Sequence, residues 1–195
     1  MRQPGSLARP GLSVGLHIDL GEWKLAESEW VPVYEVVPLE DIDDVAAEIK
    51  RQLEIFRRLV GRNPTHLDSH QHVHRREPVR GVLVAMAHEL GVPLRHFAPQ
   101  VRYCGDFYGQ DERGESMPDA LSAQHLIRII KELPNGVTEL ACHPAFLDGL
   151  KTMYCEQREQ ELSILCDSRV RDAIEANAVE LCSFHELRDH MKSVG

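Results

Sequence analysis

The stretch Thr65-His66-Leu67-Asp68-Ser69-His70-Gln71-His72-Val73-His74 decides how this chain reads. His66, Asp68, His70, His72 and His74 alternate with other residues. On an extended backbone, every second side chain points to one face, so all five would share a face. Imidazole and carboxylate are the ligands a divalent metal takes. Neighbours on one strand face lie about 6.6 Å apart at Cα. One ion therefore takes one or two of the five, and the rest orient ligands, move protons or touch substrate. The plain alternative is a solvated turn that happens to be rich in histidine. Five ligand-type residues in period two at a strand end favour metal binding or catalysis.

Working outward, Ile42, Val45, Ala46, Ile49, Leu53, Phe56, Leu59 and Val60 recur at three- and four-residue steps. This predicts a helix over 41–60, with Gly61 at the position that ends it. On the other side, Pro78 suits a first helical turn, and Gly91 closes a second helix. Strands are expected at 14–18, 65–69, 93–97, 137–142 and 179–182. Further helices are expected at 120–133 and 155–176. Ser183 and Glu186 have capping-box spacing and open a terminal helix. Residues 21–40, with Pro32, Pro38 and both tryptophans, read as irregular or weakly extended. Residues 98–118 read as a long loop of the kind that serves as a functional lid or is disordered.

Strand and helix alternate, which implies parallel strands joined by helical crossovers. The predicted class is α/β, a parallel β/α barrel-like fold. A closed eight-unit barrel takes about 250 residues, and the chain has 195, so a deformed or incomplete TIM-like barrel fits better. No repeat or linker divides the chain, so residues 1–195 are expected to form a single domain.

In parallel α/β folds, active sites are built at the carboxyl ends of strands. Two more histidines fall at such ends: His17 in Gly15-Leu16-His17-Ile18, and His143 in Cys142-His143-Pro144. Singly, His17 reads equally as a capping or buried residue, and His143 as a turn residue. Three strand ends that finish in histidine point to one site. His88, His125, His185 and His190 fall in predicted helices, Cys142 in an apolar strand, and Trp23 and Trp30 are expected to pack.

Composition narrows the partners. The formal net charge is −9, which opposes phosphate-driven nucleic-acid binding and docking on anionic membranes. Five cysteines show no CxxC spacing, so reduced thiols in a cytoplasm are expected. No apolar run approaches the ~20 residues of a membrane span.

Gly-Leu-His at 15–17, the 65–74 motif, His-Pro at 143–144, and Arg158-Glu-Gln-Glu-Leu162 leading to Ser183-Phe-His-Glu-Leu187 together resemble the YdjC-like carbohydrate deacetylases. The likeness runs from Val14 onward. It implies a barrel-like β/α fold and one divalent metal ion, magnesium or zinc. It also implies hydrolysis of N-acetyl groups on amino sugars, including chitooligosaccharides. Carried over by motif, His17 and His70 are metal ligands, and His143 is a catalytic acid or transition-state contact. His66, His72 and His74 fall to substrate or supporting positions. The resemblance also implies an opening strand ending in an Asp-Asp pair, one a ligand and the other the base. Residues 1–13 hold no Asp or Glu, so the domain is expected to be N-terminally incomplete, with Asp68 or Asp19 standing in. A catalytically inactive sugar- or metal-binding module is the competing reading, its open strand edge covered by a complementary N-terminal segment or by a second copy in a homodimer. Another metal-dependent hydrolase on the same scaffold ranks last, because no phosphate-cradling glycine loop is present.

Overall fold

The computed structural model describes residues 12–109, 117–146 and 155–187. They belong to two compact units, one spanning 1–98 with 182–195, the other 99–181.

In the first unit, β1 (Leu16–Ile18) lies parallel to β4 (Leu67–Ser69), with Leu16 opposite Leu67, His17 opposite Asp68 and Ile18 opposite Ser69. The other edge of β4 takes residues 93–95: Leu67 N–H donates to the Pro93 carbonyl at 2.9 Å, and Arg95 N–H donates to the Leu67 carbonyl at 3.0 Å. This is the parallel arrangement expected from strand–helix alternation. The crossover is helix α1 (Ile42–Val60). The Asp41 carboxylate accepts from the Asp43 and Asp44 amides at its start, and Gly61 (φ 76°) ends it in the left-handed conformation. Its stripe of Val45, Ile49, Leu53 and Phe56 packs with Leu16, Ile18 and Leu67, and with Val79, Leu83 and Ala87 of helix α2 (Val79–Leu90). Each fully buried large aliphatic side chain contributes roughly 1.5–3 kcal/mol.

Residues 21–35 differ from expectation. They form a hairpin of β2 (Gly21–Ala26) and β3 (Glu29–Glu35). The turn residues Glu27 and Ser28 have φ of 49° and 74°. Such turns usually carry Asn-Gly or Asp-Gly, so Glu-Ser gives no hairpin signal in sequence. Pro32 sits in a two-stranded ribbon near a bulge, where a missing N–H is tolerated. The terminal capping box does form: Ser183 N–H donates to the Glu186 carboxylate at 2.6 Å.

In the second unit, β5 (Val101–Cys104) runs parallel to β6 (Val137–Leu140). Helix α3 (Ala123–Lys131), capped by the Ser122 hydroxyl, joins them. Helices α4 (Cys155–Leu165) and α5 (Ser168–Ala176) follow. Phe107, Leu121, Leu126, Ile130, Ile164 and Val170 form the core. Strand β5 lies inside the stretch read as a loop, while 179–182 form no strand. Four-residue strands depend on their partner more than on local pattern. Among the described residues the parallel pairing is confined to these sets.

Candidate active site

The histidine-rich stretch does not stay extended. Strand β4 stops at Ser69, and His70–Arg75 winds into tight 3-10 turns, with Gln71 and His72 at φ 47° and 53°. The expected single face of five side chains is therefore divided. Short-range turning, which the Ser69 side chain supports, replaces period-two alternation: the Ser69 hydroxyl accepts the His74 N–H at 3.0 Å.

The register of β1 and β4 places His17 beside Asp68. His17 Nδ1 lies 3.0 Å from one Asp68 oxygen, and an Arg95 guanidinium nitrogen lies 2.7 Å from the other. Three neighbouring segment ends thus form an imidazole–carboxylate–guanidinium chain. Burial alone would raise the Asp68 carboxyl, but the hydrogen bond and charge of His17, with Arg95, hold it below the ordinary carboxylate range. A carboxylate on one ring nitrogen fixes a histidine's orientation and leaves the other nitrogen to act.

The His70 ring meets the His17 ring edge-on, with centroids 5.8 Å apart. His70 Nε2 is buried and has no hydrogen-bond partner among the described residues. The Glu22 carboxylate on β2 lies 4.0 Å away, which is an electrostatic contact and too long for a hydrogen bond. Gln71 holds Glu22 near: its side chain accepts from the Trp23 N–H at 2.9 Å and donates to the Trp23 carbonyl at 2.7 Å. Sequence reading missed Glu22 and Gln71, whose pairing spans distant parts of the chain. Two imidazoles, an unpartnered buried nitrogen and a nearby carboxylate suit a divalent ion.

His66 has a different setting. Its ring stacks on Phe184 at 3.9 Å, and Thr65 Oγ1 shares a hydrogen bond with its Nδ1 at 3.0 Å. A Cβ at Gly15 would lie 2.3 Å from its Nε2, so only glycine admits the ring there. Burial lowers the His66 pKa from 6.5 to about 4. Asp19 is engaged in its turn: its carboxylate accepts from Gly21 N–H at 3.0 Å and from the Tyr34 hydroxyl at 2.7 Å.

His72, His74 and His96 form another group, with one ring nitrogen from each lying within 4.8 Å of the others. Burial first, then neighbouring positive groups, lowers the pKa of His72 to about 4 and of His74 to about 3. His96 is a residue that sequence reading passed over, because it stands alone after Leu94-Arg95.

In the second unit, His143 is exposed and follows β6. Its N–H donates to the buried Glu161 carboxylate, and its carbonyl accepts from Arg158 at 3.4 Å. Burial raises the Glu161 pKa, against the His143 amide and Arg158. The Tyr108 ring lies 5.0 Å from that of His143.

A family model described as YdjC-like protein matches residues 4–176. A chitooligosaccharide deacetylase of Serratia marcescens is 31% identical over 91% of this chain and 79% of its own length. One from Citrobacter koseri is 30% identical over 92% of this chain and 72% of its own length. A solved structure of a candidate cellobiose-phosphate cleavage protein from Enterococcus faecalis superposes with TM-score 0.66 and 24% identity, covering 91% of this chain and 78% of that one. That likeness speaks for the fold. With most of its length matched by the family model, the chain belongs to the YdjC-like protein family.

Proposed function

We propose that the chain is a metal-dependent hydrolase that removes N-acetyl groups from amino sugars or chitooligosaccharides, on a β/α barrel-like scaffold. The observation that carries this reading is the pairing of His17, anchored by Asp68, with the unpartnered buried Nε2 of His70. His17 and His70 would hold one divalent ion, magnesium or zinc. When bound, such an ion polarises the acetyl carbonyl and lowers the pKa of water.

The remaining work falls to side chains. Asp68 fixes the His17 ring through Nδ1. Held well below neutrality, its carboxylate is a weak proton acceptor, so it serves catalysis by holding His17. Glu22 is better placed to take a proton beside His70. By its motif alone, His143 would serve as a catalytic acid or transition-state contact. His66 packs against Phe184 and supports the strand ends. Relatives named as chitooligosaccharide deacetylases support an N-acetylated sugar as substrate. Cys104, Cys142, Cys166 and Cys182 are free thiols, which supports a cytoplasmic setting. No described helix is long and apolar enough to cross a membrane.

The test is acetate release from an N-acetylated chitooligosaccharide by the purified chain supplied with zinc or magnesium. Turnover that drops about 100-fold or more in both His17→Ala and His70→Ala supports the assignment, since altering a group that merely supports a ligand already costs 10–100-fold. Turnover unchanged in His70→Ala rejects it.

A further inference from the structure

We propose that His72, His74 and His96 form a second ion site, separate from the His17–His70 pair, that takes zinc or a similar borderline transition-metal ion. One ring nitrogen from each lies within 4.8 Å of the other two. A tetrahedral ion with nitrogen ligands at about 2.0–2.1 Å separates them by about 3.4 Å, so small ring movements close the set. Ring centroids 5.1 to 5.6 Å apart leave the three imidazoles mutually adjacent.

His74 supplies an independent sign of a missing ligand. Its side chain is 0% exposed, its Nδ1 shares a 2.7 Å hydrogen bond with Ser69 Oγ, and its Nε2 has no partner among the described residues. A buried polar atom without a partner is costly and rare in a native protein. With Nδ1–H donating to Ser69, Nε2 carries the lone pair that an ion takes, and the serine fixes the ring as outer partners of metal-bound histidines do. The backbone agrees: His72 and His96 hold φ of 53° and 66°, a region that non-glycine residues seldom occupy and that clusters at ligand clamps.

The donor set selects the ion. Three imidazoles without a carboxylate suit zinc, cobalt(II) or nickel(II), whereas magnesium requires oxygen ligands. Three protein ligands leave a fourth position for solvent, and His96 reaches solvent, which gives an entry path. His72 and His74 lie on the turn that carries His70, while His96 follows the segment paired to β4. An ion here would tie the turn to that segment and so hold the His70 backbone.

The proposal stands independently of the deacetylase reading. Its test is a zinc titration of the whole chain by calorimetry, with cobalt(II) absorption as a check on tetrahedral nitrogen ligation. His96→Gln should lose one tight zinc ion, its affinity falling about 100-fold or more. His17→Ala should retain that ion. Excess magnesium should not displace it. Zinc binding identical in His96→Gln and the unaltered chain would overturn the proposal. So would the loss of every tight zinc ion in His17→Ala, because all binding would then belong to the other pair.

Discussion

The two histidine groups of the first unit each draw on the stretch 65–74 yet differ in chemistry. His17 and His70 sit among carboxylates: Asp68 holds one ring, and Glu22 stands beside the other. His72, His74 and His96 sit against each other, with Ser69 as the polar partner of the buried ring. The first set offers nitrogen and oxygen to an ion, as magnesium or zinc sites do. The second offers nitrogen alone. A tight turn after Ser69 makes the difference, by sending neighbouring histidines to separate environments.

Asp68→Asn strikes the carboxylate side hardest. It frees the His17 ring and takes from Arg95, itself only 15% exposed, its charged partner. Stability should fall by roughly 3 kcal/mol, and acetate release about 10–100-fold. Urea denaturation and initial rates check both. A variant with unchanged rates would detach Asp68 from the site.

Acid should act on the buried imidazoles. His66 and His72 titrate near 4 and His74 near 3 in the folded chain, all below the ordinary 6.5. The unfolded chain therefore takes up protons first as pH falls. Stability from these groups is complete above about 6.5 and declines as pH drops toward 4, by up to about 1.4 kcal/mol per pH unit for each histidine. Urea midpoints in chelator at neutral pH and at about pH 5 measure this. Equal midpoints would mean that the rings are solvated. Asp68, with a lowered pKa, adds a loss of the same sign at still lower pH.

Gly15→Ala tests the strand-end packing. The new methyl would meet the His66 ring 2.3 Å away, under the Phe184 stack, and overpacking of this kind costs about 1–3 kcal/mol. The smallest effect is expected from Gln71→Ala, which removes two hydrogen bonds to Trp23 at an exposed position. A loss of about 1 kcal/mol, with a rate decrease smaller than that of Asp68→Asn, would show that Gln71 acts by placing Glu22. A rate decrease as large as that of Asp68→Asn would give Gln71 a direct part.

Sequence alone reached much of this. The α1 stripe with its Asp41 and Gly61 ends, the parallel pairing of strand ends, and His17, Asp68 and His70 as neighbours all follow from periodicity and motif. Three features did not. The hairpin at 21–35 turns on Glu27-Ser28, which lacks the usual glycine or asparagine. The bend at Gln71 and His72 places two non-glycine residues in left-handed conformations, which local preference argues against. Glu22 and His96 carry no local pattern, and only tertiary pairing brings them to their histidines.

The most direct test of the central claim is divalent metal content and acetate release, measured on one preparation each of the unaltered chain and His70→Ala. The account predicts that His70→Ala loses one ion per chain together with nearly all acetate release. Full acetate release from a His70→Ala protein that has lost that ion would contradict it.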